Sequence, residues 1–149
     1  LYGRTKLLGE VGAPHLTLRS SIIGLEGGRR QGLVEWFLSS VGTVRGYRGA
    51  IYSGLTTAEM ARLVERLLVR HPGLGGVFHV ASEPIDKFTL LSRLARELGR
   101  DDVRIEPVDE PRCDRSLDAS AFAAATGYRA PGWDEMLREL AQEVRARER

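Results

Sequence analysis

A single cysteine, Cys113, stands in this chain, so it can form no internal disulfide and no cysteine-rich metal site, and a reducing compartment is the expected setting. No apolar run comes near the roughly 18–20 residues that a membrane span needs. Charges at Arg4, Lys6 and Glu10 break any hydrophobic region that a secretory signal would require, which makes the cytoplasm the expected location. An excess of one charge is lacking too: 22 Lys and Arg face 20 Asp and Glu, and no basic run alternates with aromatics, so nothing argues for nucleic acid. The histidines, His15, His71 and His79, have no ligand spacing between them, and no metal site is expected. A Gly-rich turn leading from strand to helix is also missing. The nearest run, "GLGG" at 73–76, follows a helix and precedes a strand, the wrong order for holding a phosphate at a helix N-terminus.

What is present suits one compact domain: 149 residues, 42% apolar and 28% charged. Positions 2–11 read as a helix ended by Gly12, Ala13 and Pro14, and "HLTLRSSIIG" (15–24) as a buried strand. A Gly- and Arg-rich loop (25–32) and a short helix (33–41) come after it. "TVRGY" and "AIYSG" read as brief strands around a turn at Arg48–Gly49. The clearest helix runs from Thr56 to Arg70, with Thr56 or Thr57 as its cap. Its stripe of Met60, Leu63, Val64, Leu67 and Leu68 is expected to face the core. A strand at 76–82, a helix built on Phe88, Leu91, Leu94, Ala95 and Leu98 and ended by Gly99, and a strand at 102–108 come next. A charged helix with a stripe from Trp133 to Val144 closes the chain. Helices alternate with short strands, the α/β pattern, and no internal repeat is seen.

Tyr2 and Lys6 stand one helical turn apart. A free tyrosine hydroxyl, with its pKa near 10, exchanges a proton poorly at neutral pH. An ammonium within roughly 4–6 Å favours the phenolate. A tyrosine tuned in this way can protonate a carbonyl oxygen while a hydride arrives at the carbon. Alone, Tyr-x-x-x-Lys is a weak signal, because two residues at a fixed spacing recur by chance on solvated helices.

Context strengthens it. "YGRTKLLGE", Pro14 and "LTLRSSIIG" together resemble the stretch of extended short-chain dehydrogenase/reductases that holds the Tyr–Lys pair. "SGLTTAEMARLVERLL" and "GGVFHVASEPIDKFTLLSRLARELG" resemble later segments of that family, in order. "DRSLDASAFAAATGYRAPGWDEML" is similar to the ending of its dTDP-4-dehydrorhamnose reductase-like branch. The resemblance covers essentially the whole chain. It implies an α/β fold, the C-terminal half of an extended Rossmann-type reductase, with residues 1–24 as the tail of the dinucleotide-binding domain and 25–149 as the substrate-binding region. The cofactor-binding half of such an enzyme is expected to lie outside these residues, leaving the chain inactive alone.

The same resemblance implies NAD or NADP as cofactor and reduction of a 4-keto sugar nucleotide as the reaction, with room for a homodimer. Epimerase, dehydratase and a non-catalytic sugar-nucleotide-binding remnant are the alternatives. Tyr2 is the implied general acid, and Lys6 its electrostatic partner and ribose ligand. Ser20, Ser21 and Ile22 are implied to follow the strand whose end touches the nicotinamide, against the plainer reading of a core strand. Arg115, or Arg112 in a neighbouring register, is placed against the diphosphate of the sugar nucleotide, and Arg48 is a further candidate of that kind. Each of these arginines also reads as a solvated surface group. His79 is expected to be a hydrogen-bonded core histidine.

Overall fold

Glycines and short polar breaks cut the chain into smaller pieces than its hydrophobic pattern suggests. The computed structural model describes residues 1–28 and 31–147, and at Tyr2 the backbone alone. Helix α1 (Tyr2–Leu8) stops short of the expected 2–11, because Gly9 takes the C-cap and its N–H bonds back to the Lys6 carbonyl at 3.1 Å. The expected strand 15–24 is divided into β1 (Leu16–Arg19) and β2 (Ile22–Ile23) by Ser20 and Ser21. Helix α2 (Leu33–Ser39), strands β3 (Gly42–Tyr47) and β4 (Ala50–Tyr52) and the bridge β5 (Leu55–Thr56) come next. Helix α3 (Thr57–Arg70) is capped by Thr56, whose hydroxyl accepts the Glu59 N–H at 3.4 Å.

After β6 (Gly76–His79) and β7 (Ile85–Asp86), the Asp86 carboxylate accepts the Thr89 N–H at 2.8 Å and so starts α4 (Lys87–Leu98). Gly99, at φ 69, ends that helix in the left-handed region where a side chain would be strained. The chain finishes with β8 (Val103–Val108), β9 (Cys113–Asp114), α5 (Ser120–Thr126) and α6 (Trp133–Arg147).

Strand pairing is mostly parallel. β1 lies beside β6, with Leu16 opposite Gly76 and Arg19 opposite His79, and α3 belongs to the crossover between them. Residues on both sides of position 24 therefore share this sheet. β2 pairs with β5, and β3 with β8, both in parallel. β4 is antiparallel to β7 and parallel to β9, so the two strands flanking Arg48 and Gly49 belong to different sheets.

One hydrophobic cluster joins these sheets to the helices, with Phe37, Leu63, Leu90, Leu94, Met136 and Leu137 among its members. The stripe of α6 is buried throughout, from Trp133 to Val144. That of α3 is split: Leu63 and Leu67 are buried, whereas Val64 and Leu68 are 43% and 72% exposed. The five residues span a wider arc than the helix presents to the core, so the expectation that the whole stripe packs inward is corrected to Met60, Leu63 and Leu67. Among the described residues no helix is long and apolar enough to cross a membrane.

Candidate functional site

Positions 2 and 6 both fall in α1, one turn apart. The Tyr2 side chain lies outside the described residues; Lys6 is exposed in the last turn. The segment that leaves α1 is tied firmly to β1. Arg19 donates through Nε and Nη2 to the two carboxylate oxygens of Glu10, each at 2.7 Å, and this pairing holds the Glu10 carboxyl below its ordinary value of 4.5. Arg19 Nη1 lies 3.4 Å from His79 Nε2. His79 is half-buried, opposite this arginine in the sheet register, rather than in the core.

Beyond Arg19 the chain turns at the C-terminal end of a parallel strand, the place where open α/β sheets bind ligands. The Ser20 hydroxyl donates to the Ser21 carbonyl at 3.3 Å, and that carbonyl also accepts the Leu55 N–H at 2.9 Å. Ser21 and Ile22 are exposed, Ile22 to 53%, so this strand end is open surface and not core.

A cavity of about 280 Å³ lies where β4 meets α4 and the 111–115 segment. Leu33, Ile51 and Leu90 give it apolar walls, Tyr47 and Tyr52 aromatic ones, and Lys87, Cys113 and Arg115 its polar groups. Arg115 is oriented from two sides: its backbone N–H donates to the Ile51 carbonyl at 3.1 Å and its Nε to Cys113 Sγ at 3.3 Å. Lys87 Nζ lies 4.7 Å from the centre of the Trp36 ring and 5.3 Å from that of Tyr47, a cation held over two π faces. Burial holds its ammonium below the usual lysine value.

The Tyr52 hydroxyl is buried without a partner among the described residues, and burial pushes its pKa up. A Cβ at Gly54 would stand 1.9 Å from this hydroxyl and 2.3 Å from the Ser21 carbonyl, so only glycine fits between them.

Of the three arginines proposed for a diphosphate, only Arg115 lines this cavity. Arg112 is exposed and 3.4 Å from Glu110, and Arg48 places its guanidinium 5.2 Å from the centre of the Phe88 ring. Lys87 closes the family-like segment that begins at Gly76, but sequence reasoning gave it no role, and Tyr47 and Tyr52 carry no motif spacing of their own. Only the topology, which brings α4 and the 111–115 segment against β4, places them together.

The parallel strand–helix–strand unit β1–α3–β6, entered from α1, is a Rossmann-type α/β fold, shared with solved structures over about half of their length. Comparison with solved structures gives this class particular members. The chain is similar to the dTDP-4-dehydrorhamnose reductase of Bacillus anthracis solved with NADP, at 16% identity and a TM-score of 0.73, over 96% of this chain and 53% of that one. It is similar to a dTDP-4-dehydrorhamnose reductase ortholog of Clostridium acetobutylicum at 19% identity and a TM-score of 0.74, over 97% and 55%. A hypothetical dTDP-4-dehydrorhamnose reductase of Sulfolobus tokodaii gives 25% identity and a TM-score of 0.66, over 89% and 51%. Solved dTDP-glucose 4,6-dehydratases and UDP-N-acetylglucosamine 4-epimerases share the fold. The chain spans about half the length of the structures it matches. No protein-family model matches it, and no curated protein matches its sequence.

Proposed function

We propose that these residues form the substrate side of an NAD(P)H-dependent oxidoreductase that reduces a 4-keto sugar nucleotide. The observation that carries this reading is the likeness of nearly the whole chain to half of two dTDP-4-dehydrorhamnose reductases, at TM-scores of 0.73 and 0.74. Tyr2 is the general acid that protonates the ketone oxygen. Lys6 keeps that hydroxyl reactive and holds the ribose hydroxyls of the cofactor. Ser20, Ser21 and Ile22 flank the nicotinamide, and the exposure of Ser21 and Ile22 at the strand end leaves them open to it. When bound, the nicotinamide supplies the hydride. The Gly-rich cradle for its diphosphate is not within these residues, so it is supplied from outside them. Arg115 takes the substrate diphosphate. The reading also places the protein in the cytoplasm, with a homodimer as its assembly.

The test is direct. Titration with dTDP should show saturable binding that Arg115→Ala weakens; absence of dTDP binding overturns the reading. In the enzyme that contains these residues, NADPH should be consumed in step with a 4-keto sugar nucleotide. The dehydratase and epimerase structures share this scaffold, and turnover without net cofactor consumption would favour their chemistry. Tyr2→Phe should lower kcat by roughly 10²–10⁴-fold, and Lys6→Ala should also weaken cofactor binding. An unchanged rate in Tyr2→Phe removes the tyrosine from the mechanism.

A further inference from the structure

We propose that Lys87 is a second anion-binding residue of the 280 Å³ cavity, acting with Arg115 on the diphosphate of a nucleotide whose base lies against the apolar and aromatic walls. This rests on the sugar-nucleotide reading above and names the group that would recognise the nucleotide half of the substrate.

Three observations lead to it. Lys87 is half-buried, yet no carboxylate among the described residues lies within ion-pair distance of it. The acid next to it in the chain, Asp86, is already engaged, accepting the Thr89 N–H at 2.8 Å and the Thr89 hydroxyl at 2.6 Å. A partly desolvated ammonium without a counter-charge is unfavourable, and the faces of Trp36 and Tyr47 offset that only in part. The cavity itself has two cationic side chains, Lys87 and Arg115, and no acidic one in its lining. An anion is the partner that such a lining selects.

Size and polarity narrow the anion. Pockets for whole drug-sized ligands run from about 300 to 1,000 Å³, so 280 Å³ holds part of a nucleotide sugar and not all of it. Leu33, Ile51 and Leu90 with Tyr47 and Tyr52 suit the flat face of a base, which inorganic phosphate would leave uncovered. The aromatic pair keeps the ammonium in one place, so less side-chain entropy is lost when the ligand arrives. Burial already lowers the lysine's proton affinity, and a bound diphosphate would restore it.

The full chain should be titrated by calorimetry with dTDP, thymidine and inorganic diphosphate. Lys87→Gln is expected to weaken dTDP binding roughly ten- to hundredfold while Lys87→Arg retains most of it, the scale of one charge-assisted hydrogen bond. Thymidine binding should not respond to either variant. In the unmodified protein, saturating dTDP should protect Lys87 from reductive methylation, a readout that needs no variant to fold. If Lys87→Gln binds dTDP like the parent while Arg115→Ala does not, or if Lys87 stays open to methylation under saturating dTDP, Lys87 has no such role and the sugar-nucleotide reading stands. If inorganic diphosphate binds and depends on Lys87 but dTDP does not bind, the anion site is upheld and the nucleotide reading falls. Failure of all three ligands to bind overturns both.

Discussion

Glu10 and Arg19 meet where the chain leaves α1 and enters β1, through two hydrogen bonds of 2.7 Å. Both side chains reach solvent, so the pair adds little to global stability; its effect is to fix the exit of the helix that carries positions 2 and 6. Because the folded-state value of Glu10 lies below 4.5, its contribution is present above that pH and is lost as pH falls through the depressed value. Thermal unfolding of the parent and of Glu10→Gln should therefore differ at neutral pH and converge in acid. Gly54 makes the opposite kind of prediction. With Tyr52 Oη 1.9 Å and the Ser21 carbonyl 2.3 Å from where a Cβ would stand, Gly54→Ala must displace the ring that lines the cavity. Overpacking of this sort costs about 1–3 kcal/mol in urea unfolding, and dTDP binding should weaken with it. At this scale Arg115 was legible as a diphosphate candidate, whereas Lys87, though a recognisable segment carries it too, was given no role. Its rings come from Trp36 and Tyr47, and nothing in the intervals between those positions announces the contact.

Helix α3 shows what periodicity can and cannot reveal. Its existence and its start are written in the spacing of its apolar residues and in Thr56, whose replacement by alanine should cost about 1 kcal/mol. Which part of the stripe is covered is not written there, since that depends on where the β2–β5 pair lies. Leu67→Ala should lose about 2–5 kcal/mol, as a buried leucine does, while its neighbour Leu68→Ser should stay within about 0.5 kcal/mol of the parent. Equal losses from the two would contradict this placement. The stripe of α6 was legible because its apolar arc matches the surface it covers, whereas that of α4 was legible in part: Leu91 and Leu94 are buried, but so is Leu90 outside the expected stripe, and Phe88, Ala95 and Leu98 are only partly covered. The bridges β5, β7 and β9 were not, because two residues are too few to show any period.

Over the whole molecule, α3 and α6 are held together by charge as well as by the core. Arg62 donates to Glu59 at 2.7 Å and also reaches Glu139 on α6, while the buried Tyr128 hydroxyl donates to Glu59 at 2.7 Å. The outer surface is less well covered. Leu7 and Leu8 on α1 are 59% and 86% exposed, and Val64, Leu68 and Val69 on α3 are 43%, 72% and 72% exposed. Apolar groups grouped in this way mark contact surfaces. Sedimentation of the isolated chain should show association with a second copy that grows with concentration, and Leu68→Glu should reduce it; a strictly monomeric parent would count against the homodimer.

The parallel pairing has a further consequence, in time rather than in energy. β3 cannot meet β8, nor β1 meet β6, until a helix and its connections have been brought round between them. Such distant closures spend chain entropy before any contact repays it, and they slow folding. Refolding from urea should accordingly be slow for a chain of this length, with α4 and α6 helical before the strands align.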